Sequence, residues 1–141
     1  MAAIRGCLGK VYASTTTGTP AELADVTEWS FEETAENLDA SIMGACTKAF
    51  VAGPTQASGT ITCNWAQNPV SSADAEQVLL SAVGTNVKIV LYPSGTTTGY
   101  RKYTASSALI TSVRQGASVN GFVQSTFSYF VNGVHTAGTA T

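Results

Sequence analysis

The stretch Gly59–Gly84, GTITCNWAQNPVSSADAEQVLLSAVG, changes its period half-way, and that change decides the fold class. Ile61, Cys63 and Trp65 alternate with Thr60, Thr62 and Asn64, the two-residue period of a strand with one buried face. After the breakers Asn68 and Pro69 the period turns helical. Ser71 or Ser72 is placed as N-cap, and Asp74 and Glu76 suit the positively polarised first turn. Ala75, Val78, Leu79, Ala82 and Val83 fall on one apolar stripe, and Gly84 stops it, so one helix is expected at about residues 72–83.

Outward from there, strand-like runs recur between turn residues: GKVYAST (9–15), ADVTEWSFEE (24–33), NVKIVLYPSG (86–95), YRKYTASSALITSV (100–113) and GFVQSTFSYFVNG (121–133). Short antiparallel strands with one helix predict a mainly β fold, a β-sandwich or small barrel with the helix packed against it. In the last run Val123, Ser125, Phe127, Tyr129 and Val131 make one face. Phe122, Gln124, Thr126, Ser128 and Phe130 make the other. Aromatics on both faces exceed what a strand with one wet side requires, so Phe122 and Phe130 are candidates for contact with a neighbouring subunit.

The 141 residues are read as one domain, 1–141. The segment at about 32–58 exceeds the ~12–15 residues usual for a structureless loop, so it is read as an extended arm or a pair of weak strands. Its Leu38, Ile42, Met43, Phe50 and Val51 are too apolar for a loop that stays in water, and Ile42, Met43, Phe50 and Val51 join the interface candidates.

Charged residues make up only 11% of the chain, less than half the roughly 25% of an ordinary soluble domain. The Ser, Thr, Ala and Gly surface this leaves is cheap to desolvate and suits a protein covered by other copies of itself. The net charge of −2 conceals an asymmetry: all nine acids lie between Glu22 and Glu76, whereas Lys88, Arg101, Lys102 and Arg114 are unopposed beyond Gly84. Halves of opposite sign attract between copies as readily as within one.

Reactive constellations are sparse. His135, the one histidine, stands near the C-terminus, where a frayed tail holds a general base badly. Cys7, Cys46 and Cys63 cannot all pair and match no metal spacing even with His135 added. With no apolar signal core in MAAIRGCLGKVYAST, they favour synthesis in a reducing cytoplasm. GCLGK lacks the glycine spacing and hydroxyl of a phosphate loop, and adjacent Glu32 and Glu33 point to opposite faces of a strand. YRKY at 100–103 reads as a solvated hairpin end, because a net negative domain lacks the footprint for phosphate binding. No catalytic residue, metal or cofactor is expected. No segment approaches the ~20 apolar residues of a membrane helix, so no membrane insertion is expected either.

In this order the segments resemble the major tail tube proteins of long-tailed bacteriophages. The likeness runs from GKVYAST and VTEWSFEE, through LDASIMGACTKAFVAGPTQASGTITCNW and the helix after NPVSSADAEQ, to VKIVLYPSG, YTASSALITSV and ASVNGFVQSTFSYFVNG. Trp29, the stretch 53–65, Tyr92-Pro93 and the stretch 118–128 carry it most clearly. The resemblance implies a structural virion protein that self-assembles into hexameric rings whose inner sheets join into a closed barrel, stacked as a hollow tube for genome delivery. It implies tail tip, tape-measure and terminator proteins as partners, double-stranded DNA passing without specific binding, and a place in the virion tail after synthesis in the bacterial cytoplasm. The acidic residues Glu22, Asp25, Glu28, Glu32, Glu33, Glu36 and Asp39 are then expected to divide between the lumen and ring contacts with the basic half of adjacent subunits. A tube of type VI secretion or of a phage-tail-like contractile particle is the alternative. A glycan-binding β-sandwich with Trp29, Trp65 and Tyr100 as its stacking platform is a remoter one.

Overall fold

The computed structural model of the chain describes residues 6–23, 26–44, 46–64, 75–133 and 135–140, with the side chains of residues 75 and 76 outside that description. After a 3-10 turn at Gly6–Leu8 come β1 (Lys10–Thr15), β2 (Ala21–Glu22), β3 (Val26–Trp29), β4 (Glu32–Asp39) and β5 (Phe50–Asn64). Helix α1 (Ala75–Leu80) follows, then β6 (Asn86–Tyr92), β7 (Arg101–Gly116), β8 (Gln124–Val131) and β9 (His135–Thr139). All nine strands belong to one open antiparallel sheet of order β2-β1-β6-β7-β8-β5-β3, with β4 continuing β3 along β5 and β9 continuing β8 along β7. The mainly β class, with one α-helix among the described residues, is as the periodicity predicts.

The sheet is rolled. β3 stands three strands from β7, about 14 Å away in a flat sheet. Yet Phe31, just after β3, stacks on Tyr103 of β7 with ring centroids 5.7 Å apart. The far margins approach as well: a methyl group added at Gly9, before β1, would lie 3.1 Å from Trp29 Nε1. Inside the roll lie Val11, Ile61, Val87, Ile89, Ile110 and Phe127, each almost wholly removed from water, which contributes roughly 1.5–3 kcal/mol per side chain. Leu79 and Ala82 carry α1 onto this core, whereas Val83 is exposed.

Several expectations need correction. The described helix stops at Leu80, with turn structure before Gly84 at φ +83°; Trp65, Asn68, Pro69, Ser71, Ser72 and Asp74 lie outside the described residues. The single strand read at 24–33 is divided between β3 and β4. The C-terminal tail is no frayed end but strand β9, its amides taken up by β7 from Arg101↔Thr139 to Ala105↔His135. Nor is YRKY a solvated hairpin end: Arg101 opens β7 and Tyr103 is half-buried under Phe31. The segment 32–58, by contrast, takes the second of its two readings, a pair of strands: β4 pairs β5 in register from Glu32↔Ser58 to Asp39↔Phe50, with all eight residues of β4 exposed.

Candidate assembly surface

Among the described residues the titratable groups form no reactive constellation. His135 Nε2 lies 3.1 Å from Glu33 Oε2 and its ring meets Phe31 edge-on at 5.2 Å, so it ties β9 to the base of the β4–β5 hairpin. Tyr129 donates its hydroxyl to the Ser30 carbonyl at 2.8 Å, and burial raises its pKa above the ordinary tyrosine value. The hydroxyl and N–H of Ser41 lower the pKa of the fully exposed Asp39. Among the described residues no three of His, Cys, Asp and Glu gather as a metal site: Cys7 and Cys46 are exposed and Cys63 is in the core.

The unusual feature is apolar surface, and the strand ladder separates it into two ends. On β5, Asn64 is opposite Gln124 and Ser58 is opposite Phe130, while Phe50 lies well beyond the end of β8 and pairs only with Asp39. Leu38, Ile42, Met43, Phe50 and Val51 are therefore gathered at the hairpin end, with Met43 fully exposed. At the opposite end, in the connection from β7 to β8, Val119 and Phe122 are bare. Phe130, 45% exposed, sits between the two ends. Val119 is missed by periodicity, because one valine among turn residues carries no pattern.

Between the ends runs the face turned away from the core. Its cross-strand rows are Asn64–Gln124–Gly116, Thr62–Thr126–Arg114 and Thr60–Ser128–Ser112. Gln124 Nε2 donates to Asn64 Oδ1 at 3.0 Å, and the hydroxyls of Thr62 and Thr126 meet at 3.3 Å. Apart from Arg114, these rows carry neutral polar groups and one glycine. Of the acidic candidates, Glu22 pairs with Lys10 at 3.4 Å and Glu33 with His135, while Glu28, Glu32, Glu36 and Asp39 are exposed. Asp25 lies outside the described residues.

The fold as a whole superposes on solved structures. A tail tube of a gene transfer agent particle, refined with C6 symmetry, superposes with a TM-score of 0.74 at 16% identity, covering 95% of this chain and 98% of that one. The chain has the tail-tube fold. The SPP1 tail tube matches with a TM-score of 0.77 at 16% identity over 97% of this chain and 80% of that one. The tube-terminating cap of the anti-feeding prophage matches at 0.70 and 14% identity, over 99% and 93% respectively. No protein-family model and no curated protein sequence matches the chain. At these identities the tail-tube fold is retained by packing pattern rather than by shared side chains.

Proposed function

We propose that the protein is the subunit of a phage-type tail tube, assembling with itself into rings that stack as a hollow conduit for DNA. The observation that carries this reading is the match of nearly the whole chain to tail-tube structures. The distribution of its surface supports it. A monomer in water has no use for exposed Ile42, Met43, Phe50, Val119 and Phe122 at opposite ends of one ladder, whereas a stacked subunit buries both ends. Rings of six follow the C6 symmetry of the gene transfer agent tail. The function is structural rather than enzymatic, the site is the virion tail, and tail tip, tape-measure and terminator proteins are the partners at the ends.

The match to the anti-feeding prophage cap supports a second reading, a subunit of a phage-tail-like particle with the same tube geometry. A glycan-stacking role has less support: Trp29 is half-buried against the Gly9 side of the roll, and Trp65 lies outside the described residues.

Electron microscopy of purified protein tests the proposal. Rings or hollow tubes formed without added ligand are expected. A monomer at all concentrations, by native mass spectrometry and by microscopy, overturns it. Co-assembly with a contractile sheath protein would select the second reading.

A further inference from the structure

The β4–β5 hairpin is built in two parts. Ala35 is opposite Thr55 and Asn37 is opposite Ala52, so Glu36 alone faces both Gly53 and Pro54, a bulge in the middle of the ladder. Pro54 has no N–H to give to β4, and proline is tolerated in a sheet at such a bulge. A methyl group added at Gly53 would lie 3.1 Å from Glu36 Cβ and 3.2 Å from the Glu36 carbonyl oxygen, so glycine fits the close approach of the two strands there. An open hollow of about 330 Å³, lined by Thr34, Ala35, Glu36, Pro54, Thr55 and Gln56, lies beside the break.

Each part is held differently. Beyond the bulge the tip closes on itself: Asp39 pairs with Phe50, Ala40 N–H donates to the Ala49 carbonyl at 2.8 Å, Ala49 N–H to Ser41 Oγ at 3.0 Å, and Ser41 N–H to Asp39 Oδ1 at 2.9 Å. None of these bonds reaches another part of the molecule. On the near side Ala57, opposite Glu33, is buried, and Glu33 Oε2 meets His135 Nε2 at 3.1 Å. His135 is opposite Ala105 of β7, and the Phe31 ring that meets it edge-on is itself stacked on Tyr103. Among the described residues β4 pairs with no strand but β5, and Glu33 supplies its one side-chain hydrogen bond or ion pair to another strand. An imidazole carries an N–H at Nε2 when protonated and also in one neutral tautomer, so this contact forms in either charge state.

We propose that the hairpin is a two-part lever, whose tip turns as one body on the bulge at Glu36 while Glu33 and His135 fasten its base to β9. The exposed Ile42, Met43 and Phe50 then search for their partner surface from a fixed root, and the search covers the arc of one hinge rather than the whole freedom of a loose arm. Residues already fixed in the monomer need not be ordered at the contact, which lowers the entropic cost of docking. The bulge serves the other half of the device, because a local break lets the ladder bend while pairing continues on either side. His135 and Phe31 are thus positioning residues for the assembly surface, although neither belongs to the apolar tip. What the tip meets rests on the tube reading; the lever is a property of the monomer and is tested there.

Hydrogen exchange of the monomer, below its assembly concentration, measures the lever. Strand-paired amides of residues 32–35 are expected to exchange about tenfold or more slowly than those of 37–39. Glu33→Ala, at an exposed position, and His135→Ala are each expected to speed exchange at 32–35 about fivefold, and the double variant no more than either alone. His135→Gln keeps an N–H near the place of Nε2 and is expected to stay within about twofold of wild type. Deleting Gly53 together with Pro54→Thr gives Glu36 a single partner and is expected to slow exchange at 37–39 about threefold or more. Equal exchange on the two sides of the bulge in the wild type, or no slowing in the deletion variant, overturns the hinge. Unchanged exchange at 32–35 in Glu33→Ala, or a His135→Gln as loose as His135→Ala, overturns the clamp. Growth from tube seeds is expected to slow about threefold or more in Glu33→Ala and His135→Ala but not in His135→Gln, and equal growth in all of them overturns the link to assembly. A wild type that never assembles overturns the tube reading, while the exchange pattern still decides the lever.

Discussion

The Tyr129 hydroxyl and the Ser30 carbonyl meet at 2.8 Å over strand β5, and Gly59, the β5 residue opposite Tyr129, lies directly beneath them. A side chain at Gly59 would collide with the Ser30 carbonyl and come within 2.7 Å of the Tyr129 oxygen. The glycine thus lets the link between β3 and β4 run close beside β5, and the tyrosine reaches over Gly59 to bond the Ser30 carbonyl.

Gly59→Ala is expected to destabilise the monomer by about 1–3 kcal/mol through overpacking against backbone. Tyr129→Phe is expected to cost about 1–2 kcal/mol by orphaning the Ser30 carbonyl. Urea denaturation of both variants measures the two losses. An unchanged midpoint for Gly59→Ala would mean the approach is looser than the geometry requires.

Stability should fall in alkali because of the same tyrosine. Burial raises its folded pKa above the unfolded value, so its contribution is fully present below pH ~10 and declines as pH rises beyond that, when only the unfolded chain ionises readily. Tyr129→Phe should flatten the slope of stability against pH above about pH 10. An identical slope in both proteins contradicts this.

The two faces of β8 should separate folding from assembly. Phe127 is fully buried, and Phe127→Ala is expected to cost about 3–5 kcal/mol. Phe130 is 45% exposed, and Phe130→Ser should change monomer stability by less than about 1 kcal/mol while weakening assembly. Thermal melting and sedimentation of the two variants give opposite orders of damage if both faces have the roles assigned.

The hairpin end should behave likewise. Ile42→Asp with Met43→Asp removes exposed apolar surface and is expected to leave the melting temperature within a few degrees of wild type while abolishing tubes. In hydrogen exchange, amides 38–51 should be the least protected strand residues of the monomer and become protected in tubes, because the hairpin has no layer packed on β4. Equal protection in both forms would remove its assembly role.

Cysteine accessibility checks the placement of the roll. A maleimide should label Cys7 and Cys46 of the native protein within minutes and reach Cys63, fully buried in β5, only after denaturation. Labelling of all three at one rate would mean that the core around Ile61 and Phe127 is not closed.

The strand alternation at 59–64 and the faces of the strand containing Phe127 and Phe130 were legible in the sequence, because each follows from burial on one side of a local element. Periodicity specifies which side of a strand is dry and is silent on what lies beside it. That silence explains what stayed open or was misread. The β4–β5 hairpin reads as either an extended arm or a pair of weak strands because all eight residues of β4 are exposed, so no alternation marks the strand; its register is held by backbone bonds to β5. The tail HTAGT looks frayed for the same reason and is a strand only because β7 offers an edge to it. The charge asymmetry of the chain was equally plain in the sequence, as were the apolar side chains near residue 42. Which charges share a face was not. Glu28 and Arg114 are separated by most of the chain and become the two ends of one row only through three antiparallel registers. Composition and period thus determined that this chain makes a one-helix β fold with a surface suited to being covered. The pairing of distant strands alone decided where its acid, its base and its apolar ends stand, because backbone hydrogen bonds bring together residues that no local pattern relates.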